Sequence, residues 1–451
     1  MTKPLPKRPD SEAEPRHRVP AFGNALTSRP RRPWFLRTNT QFFIGLFLAM
    51  AVPAAVFLSQ SSRFWSEKTF TSSFILATIA VVLGYQFQRR LFRFPDVKAG
   101  SHLIAGFTIS FGLVLSAASL LRSEYSTVFL TTSYATTLIW FVVMDRVRRK
   151  RHSVRMAILD IGKIPDFGSI QGVEFIRIPQ VGQYHSRMGP LIVDLRHPHN
   201  AETLEWISRT VLEGTVVLHT KLAFERLAGR VSIEHLSENE FGSLLPEQFY
   251  LRVKPALDVL LALVLLPLFA AILIPTALVM LVMQGRPIIY RQKRRGLRGE
   301  RFTLYKLRTM TVQDANTVRS PEEQIDALLT RFKDPRVTRM GRFLRRYRFD
   351  ELPQIWNILK GDMSWVGPRP EAAVLSDEYQ RRIPFYVYRH VVRPGVTGWA
   401  QVNSGHVTEL EATSVKLEYD FYYIKMLSPW LDFLVLMRTV KILVRGLERL
   451  L

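Results

Sequence analysis

Residues Pro255–Met283 read PALDVLLALVLLPLFAAILIPTALVMLVM, with Asp258 as the only charge. By length this stretch could cross a bilayer, which takes roughly 20 apolar residues. Pro267 and Pro275 interrupt it, and an internal proline kinks or ends a helix at a cost of about 3 kcal/mol. Cations also stand on both sides: Arg252 and Lys254 before it, Arg286, Arg291, Lys293, Arg294 and Arg295 after it. A crossing would leave one basic flank outside, against the positive-inside rule. The pattern predicts a helix–break–helix that enters one leaflet and returns, a re-entrant membrane hairpin, with a kinked span as the alternative. Lys254 and Asp258, at i and i+4, are spaced for a salt bridge that anchors it.

Arg286 to Arg348 follows with 18 Lys and Arg against 6 Asp and Glu, half of the chain's net charge of +24. A solvated basic face would be the ordinary reading. Directly after a membrane element, however, such cations meet anionic headgroups and phosphorylated lipid. The run ends at RFLRRYRFDELPQIWNILKGDMSWVGPRPE, Arg342–Glu371. Asp350 can serve simply as the N-cap of the short apolar helix behind it, with Glu351 complementing the dipole. Yet Arg342, Arg345, Arg346 and Arg348 precede Asp350 within eight residues. Cations that close keep a carboxylate ionised and can also hold a phosphate.

The order D-E-L-P-Q (from Asp350), N-x-L-K-G-D-M-S (from Asn357) and V-G-P-R-P-E (from Val366) resembles the signature of the bacterial sugar transferases, the monotopic phosphoglycosyl transferases. Upstream, R-Q-K-R-x-G at Arg291 and F-T-L-Y-K-L-R-T-M at Phe302–Met310 are similar to that family's next block. Downstream, Arg393-Pro394-Gly395-Val396-Thr397-Gly398 and D-F-Y-Y at Asp420 complete the pattern. The resemblance covers about residues 250–451.

It implies transfer of a sugar-1-phosphate, expected to be a hexose-1-phosphate, from a UDP-sugar to undecaprenyl (polyprenyl) phosphate. UMP is released, and the step begins synthesis of an exopolysaccharide, capsule or O-antigen. It implies Asp350 as a nucleophile that forms an aspartyl-phosphosugar intermediate, and Glu351 as a partner that binds metal or adjusts the dyad's proton affinity. Mg²⁺ on Asp350 and Glu351 is the implied cofactor. Lys306, Arg308 and Arg345 match basic positions that hold phosphates. Pro368 and Arg369 match a nucleotide-contacting turn, and Arg393 a phosphate or headgroup contact. Asp420 matches an acidic position without an evident role.

Residues 1–33 carry seven prolines and many arginines and read as a disordered basic tail. Residues 34–150 hold four apolar runs, about Phe42–Leu58, Phe74–Phe87, Leu103–Leu121 and Val128–Met144. They predict four transmembrane helices. Arg29, Arg31, Arg32 and Arg37 precede the first, Arg89, Arg90 and Arg93 follow the second, and Arg146 to Arg151 follow the fourth. This places both ends of the bundle in the cytoplasm.

In residues 151–250, the short runs Met156–Asp160, Leu191–Leu195 and Val216–His219, with a helix at Ala201–Leu212, predict a small Rossmann-like α/β domain with a parallel sheet. LDIGKIPDFG after its first strand is no G-x-G-x-x-G fingerprint, so a structural or regulatory role is expected rather than nucleotide binding. Residues 251–451 are then the hairpin plus a mainly α, monotopic catalytic domain. Its tail, Leu427–Leu451, is a basic amphipathic helix suited to the membrane interface or to packing on that domain.

With no cysteine in 451 residues, disulfides, thiolate metal sites and cysteine nucleophiles are excluded. The competing reading is a membrane-anchored basic binding or regulatory protein that holds nucleic acid or anionic lipid. It explains the charge but not the dyad or the Pro-Arg-Pro turn. The expected partners are therefore UDP-sugar, undecaprenyl phosphate and membrane lipids, with no nucleic acid and with surface enough for a homodimer. The expected location is a bacterial inner membrane, multi-pass, with the catalytic domain on the cytoplasmic side.

Overall fold

The computed structural model describes residues 38–59, 67–91, 99–151, 154–168, 170, 173–233, 246–311, 334–404 and 410–445. The basic tail 1–33 lies outside these, as do the loop cations near Arg93 and part of the basic run. The chain forms two compact units, one built on Val154–Ile164 and Gly172–His219, the other on Phe35–Ser153 and Thr220–Leu451 with a short connecting piece.

The smaller unit is a four-stranded parallel sheet. Its strands are β1 (Val154–Leu159), β2 (Val173–Ile178), β3 (Leu191–Val193) and β4 (Val217–His219), in the order β2-β1-β3-β4. Three of them fall on the apolar runs seen in sequence. β2 was not foreseen, because Glu174 and Arg177 break up its apolar character on the sheet's edge. One helix, Ala201–Leu212, is capped by Asn200, whose side chain accepts the Thr203 amide at 2.9 Å. It buries Ile207 with Ala157, Leu159, Leu191 and Val193.

The larger unit begins with α1 (Thr38–Ser59), α2 (Glu67–Leu91), α3 (Ala99–Leu120) and α4 (Thr127–Arg151); the helix of the smaller unit is α5. Each is long and apolar enough to cross a membrane, as is α7 below. Their contacts are aromatic and small-residue contacts. Phe107 stacks on Phe141 at 5.0 Å, and the Trp140 indole donates to the Gln41 carbonyl at 3.0 Å. Phe43, Phe47, Leu113 and Ile139 stay more than half exposed, as side chains meant for lipid would be.

After the sheet, α6 (Thr220–Ala228) leads to α7 (Gln248–Gln284), one helical element through Pro255, Pro267 and Pro275. The prolines do not divide it into two helices. Most of its apolar residues are exposed, including Val264, Ile274 and Val282. Its buried residues are Tyr250, Lys254, Asp258 and Ala262 in the first half and Met280 near the end.

An antiparallel hairpin follows, β5 (Ile289–Arg295) with β6 (Arg301–Leu307), pairing Tyr290 with Lys306. Then come α8 (Arg339–Arg346), a 3₁₀ turn over Phe349–Gln354, α9 (Ile355–Leu359), β7 (Ser364–Val366) and α10 (Ala373–Arg382). The last elements are β8 (Gly395–Thr397), α11 (Trp399–Ser404), α12 (Leu410–Lys425) and α13 (Pro429–Arg445). β7 and β8 pair in parallel. Ile355, Ile358, Trp365, Trp399, Phe421, Leu431 and Leu434 form the core beneath them.

Candidate active site

Asp350 and Glu351 lie in the 3₁₀ turn behind α8, and are 8% and 7% exposed. Asp350 is not the N-cap of α9, whose first residue follows Gln354. The turn is entered through Arg348 in the left-handed region, at φ 57°. That kink aims both carboxylates inward, where a continued α8 would have spread them around its axis. α8 itself lies tight against the end of β6: a Cβ at Gly341 would sit 2.0 Å from the Thr309 carbonyl oxygen.

The two carboxylates have opposite surroundings. Glu351 Oε1 accepts from Arg369 at 2.9 Å, Lys306 at 3.2 Å and Arg348 at 3.3 Å. Burial alone would raise its pKa, but Arg369, Lys306 and Arg348 hold it well below the usual carboxylate range. Among the described residues, none forms a hydrogen bond to the buried Oδ1 of Asp350. Burial, and then the charge of Glu351, push its pKa up, against Lys306, Arg348 and Arg345. One acid is locked as an anion, and the other presents a desolvated oxygen. Burial likewise draws the Lys306 ammonium down to about 8, although Glu351 opposes it.

Arg369 reaches Glu351 from the turn Gly367-Pro368-Arg369-Pro370. Gly367 is required there, since a Cβ would meet the Arg393 carbonyl at 2.4 Å. The Gly395 amide donates to the Pro368 carbonyl at 3.0 Å and Arg294 to the Pro370 carbonyl at 2.6 Å, so the turn is held from both sides. Arg389 donates to the Arg369 carbonyl and to Asp420, both at 2.8 Å, and to the Tyr386 hydroxyl at 2.7 Å. A small cleft runs beside the turn, lined by Arg295, Pro368, Arg369, Arg389, His390 and Pro394. Burial, followed by Arg389 and Arg295, lowers the pKa of His390 to about 3 and keeps the ring neutral.

Of the residues singled out in sequence, Asp350, Glu351, Lys306 and Arg369 therefore meet. Arg345 stands beside them, its Nε bonded to the Thr309 hydroxyl at 2.9 Å. Arg308 does not join them. Its guanidinium donates to the Gln284, Gly285 and Arg286 carbonyls and closes the C-terminal end of α7. Arg393 donates to the Gly361 carbonyl at 2.9 Å and braces the end of α9. Asp420 is explained as the buried partner of Arg389.

Arg389 and Lys416 were not named in the sequence reading, and Arg294 and Glu371 entered it only as members of motifs, without a place at the site. Glu371 closes the V-G-P-R-P-E block. There Lys416, Arg389 and Arg294 outweigh burial and hold it strongly ionised. Its place in that block was the available signal.

The chain is similar in sequence to known proteins. The model of the family described as bacterial sugar transferase matches residues 249–446. An Aeromonas hydrophila protein named UDP-N-acetylgalactosamine-undecaprenyl-phosphate N-acetylgalactosaminephosphotransferase is 34% identical over 412 residues, 90% of this chain and 94% of its own length. Two proteins named UDP-glucose:undecaprenyl-phosphate glucose-1-phosphate transferase match shorter stretches. The one from Escherichia coli K12 is 40% identical over 190 residues, 42% of this chain and 39% of its own. The one from Caulobacter vibrioides is 42% identical over 189 residues, 42% of this chain and 68% of its own. With 34% identity over nearly the full length of one such protein and a family model that matches residues 249–446, the chain belongs to the bacterial sugar transferase family.

Proposed function

We propose that this protein transfers a sugar-1-phosphate from a UDP-sugar to undecaprenyl phosphate, releasing UMP, as an enzyme of polysaccharide synthesis. The observation that carries the reading is the divided dyad: a buried Asp350 oxygen without a partner among the described residues, beside a Glu351 clamped by three cations. An Asp350 oxygen attacks the phosphorus attached to the sugar, and the bond to the UMP oxygen breaks. Undecaprenyl phosphate then attacks the same phosphorus, freeing the Asp350 carboxylate and giving the lipid diphosphate sugar. Lys306 and Arg369 stabilise charge on the transferring group, and Arg345 stands within reach of the same phosphates.

Mg²⁺ suits this site. It is commonly held by one or two carboxylates with substrate phosphates completing the shell, and Asp350 and Glu351 supply those two. When bound it would neutralise charge on the diphosphate and its leaving group.

For the membrane, we read α1–α4 as four spans with both ends cytoplasmic, and α7 as a re-entrant element. A straight 37-residue helix would be about 55 Å long. Three contacts favour a bend. Trp365 donates to the Asp258 carbonyl and also packs edge-on against Phe269 at 5.7 Å, eleven residues further on. Met280 and Leu273, near the far end, pack with Leu307 and Leu344 of the same catalytic domain. The catalytic face then lies at the cytoplasmic surface of the bacterial inner membrane, among its lipids, with a second copy as a further expected partner.

Release of UMP from UDP-N-acetylgalactosamine and UDP-glucose, with and without undecaprenyl phosphate, tests the reading. Release from neither donor contradicts it.

A further inference from the structure

The lysine at the start of α7 has a nearer partner than the carboxylate one turn along its own helix. Lys254 Nζ stands 3.6 Å from Asp258 but forms a short hydrogen bond to Asp432 Oδ2 on α13. The same Oδ2 accepts from the Tyr250 hydroxyl at 2.8 Å, and Oδ1 from the Tyr423 hydroxyl at 2.7 Å. All five side chains are buried, and none has a hydrogen bond to the Asp350–Glu351 dyad. Two carboxylates, an ammonium and two phenols are a costly way to join helices, since apolar residues of similar volume often do so as well. In some proteins a network of this kind serves to fix one geometry.

The element it fixes is β7. The Trp365 indole donates to the Asp258 carbonyl at 3.0 Å, and the Tyr423 hydroxyl also lies 2.9 Å from the Val366 carbonyl oxygen. β7 therefore rests against the start of α7 on one side and against Asp432, through Tyr423, on the other. One residue later the chain enters Gly367-Pro368-Arg369, and the prolines leave the turn little freedom to absorb a shift. A displacement of β7 is passed to the Arg369 guanidinium, which bonds Glu351.

We propose that Asp432 is a positioning residue: through Tyr423 and the start of α7 it holds β7 in place and so sets where Arg369 meets Glu351. The kinetic consequence rests on the phosphoglycosyl transferase reading above; the mechanical one does not.

The test uses the full chain in lipid nanodiscs. Tyr423→Phe removes one hydroxyl at constant shape, and Asp432→Asn removes the charge. Both should speed amide hydrogen exchange in Ser364–Arg369 by about tenfold and leave α8 unchanged. Against UDP-sugar, Tyr423→Phe should lower kcat/KM by about tenfold. In an Arg369→Lys background the same change should add less than about twofold, because both act through one contact. Losses that multiply, or wild-type exchange in Ser364–Arg369 of the Tyr423→Phe protein, would overturn the proposal. If the wild-type protein releases no UMP, the functional reading fails, and the exchange measurement still decides this one. If Asp432→Asn does not fold, Tyr423→Phe carries the same test.

Discussion

Arg369 donates to Glu351 Oε1 at 2.9 Å, while Asp350 one residue before has a buried oxygen to which no described residue bonds. Two adjacent acids thus acquire different work from their neighbours alone. Glu351 is satisfied three times over, whereas Asp350 Oδ1 is bonded by none of the described residues.

Asp350→Asn should abolish transfer, by a factor of at least about 10³, because an amide cannot form the acyl-phosphate. The protein should stay folded and inserted. Removing a desolvated carboxylate beside a second one relieves repulsion, so thermal unfolding should occur at the wild-type temperature or above it. UMP release and a melting curve in the same detergent check both halves.

The pH profile of kcat/KM should be bell-shaped. Asp350 acts as the anion, and its pKa is raised by burial and then by Glu351, so activity falls as pH drops through that raised value. Lys306 acts as the cation with its pKa near 8, so activity falls again as pH rises past about 8. Glu351 stays ionised throughout. Lys306→Arg should move the alkaline limb upward and leave the acid limb in place, which initial rates across the pH range would show.

A chain that starts near residue 220 should be more stable and more active than one that starts near residue 250. The indole of Trp399 donates to the Gly229 carbonyl at 2.7 Å, and Lys425 pairs with Glu225 at 2.8 Å. The Val231 amide also donates to the Glu418 carbonyl at 3.0 Å. Cutting at 250 leaves these buried groups unsatisfied, at about 1–3 kcal/mol for each. Even the longer truncate loses the edge-on contact of Phe87 with Trp430 at 5.0 Å, so it should fall short of the full chain. Melting curves of the three proteins order them.

Asp420→Ala should destabilise the catalytic domain by about 3–5 kcal/mol, since it strands Arg389 without its buried partner. Because Arg389 also holds the Arg369 carbonyl, activity should fall in the molecules that remain folded. Denaturant unfolding, with activity measured below the transition, separates the two effects.

Local patterns carried much of this structure into the sequence. The dyad, the rigid Pro-Arg-Pro turn, three of the four strands of the parallel sheet and the long apolar runs rest on neighbours within a few residues, whereas β5–β8 had no such signal. What the sequence did not disclose depends on partners far along the chain. Lys254 was paired with Asp258 by spacing, and its shorter contact is with Asp432, 178 residues away. Arg308 matched a phosphate-holding position by motif, yet its three acceptors are carbonyls at the end of α7. Residues 225–231 carry no motif; they matter because Trp399, Glu418 and Lys425 meet them in the fold. The prolines of α7 suggested a break, whereas the helix runs through them.

The central claim, that Asp350 carries the sugar phosphate, is tested most directly by incubating the protein with a UDP-sugar labelled in the phosphate next to the sugar, without lipid acceptor. The wild-type chain should retain the label at Asp350, lose it on addition of undecaprenyl phosphate, and the Asp350→Asn chain should retain none. Label trapped on the Asp350→Asn chain would contradict the account.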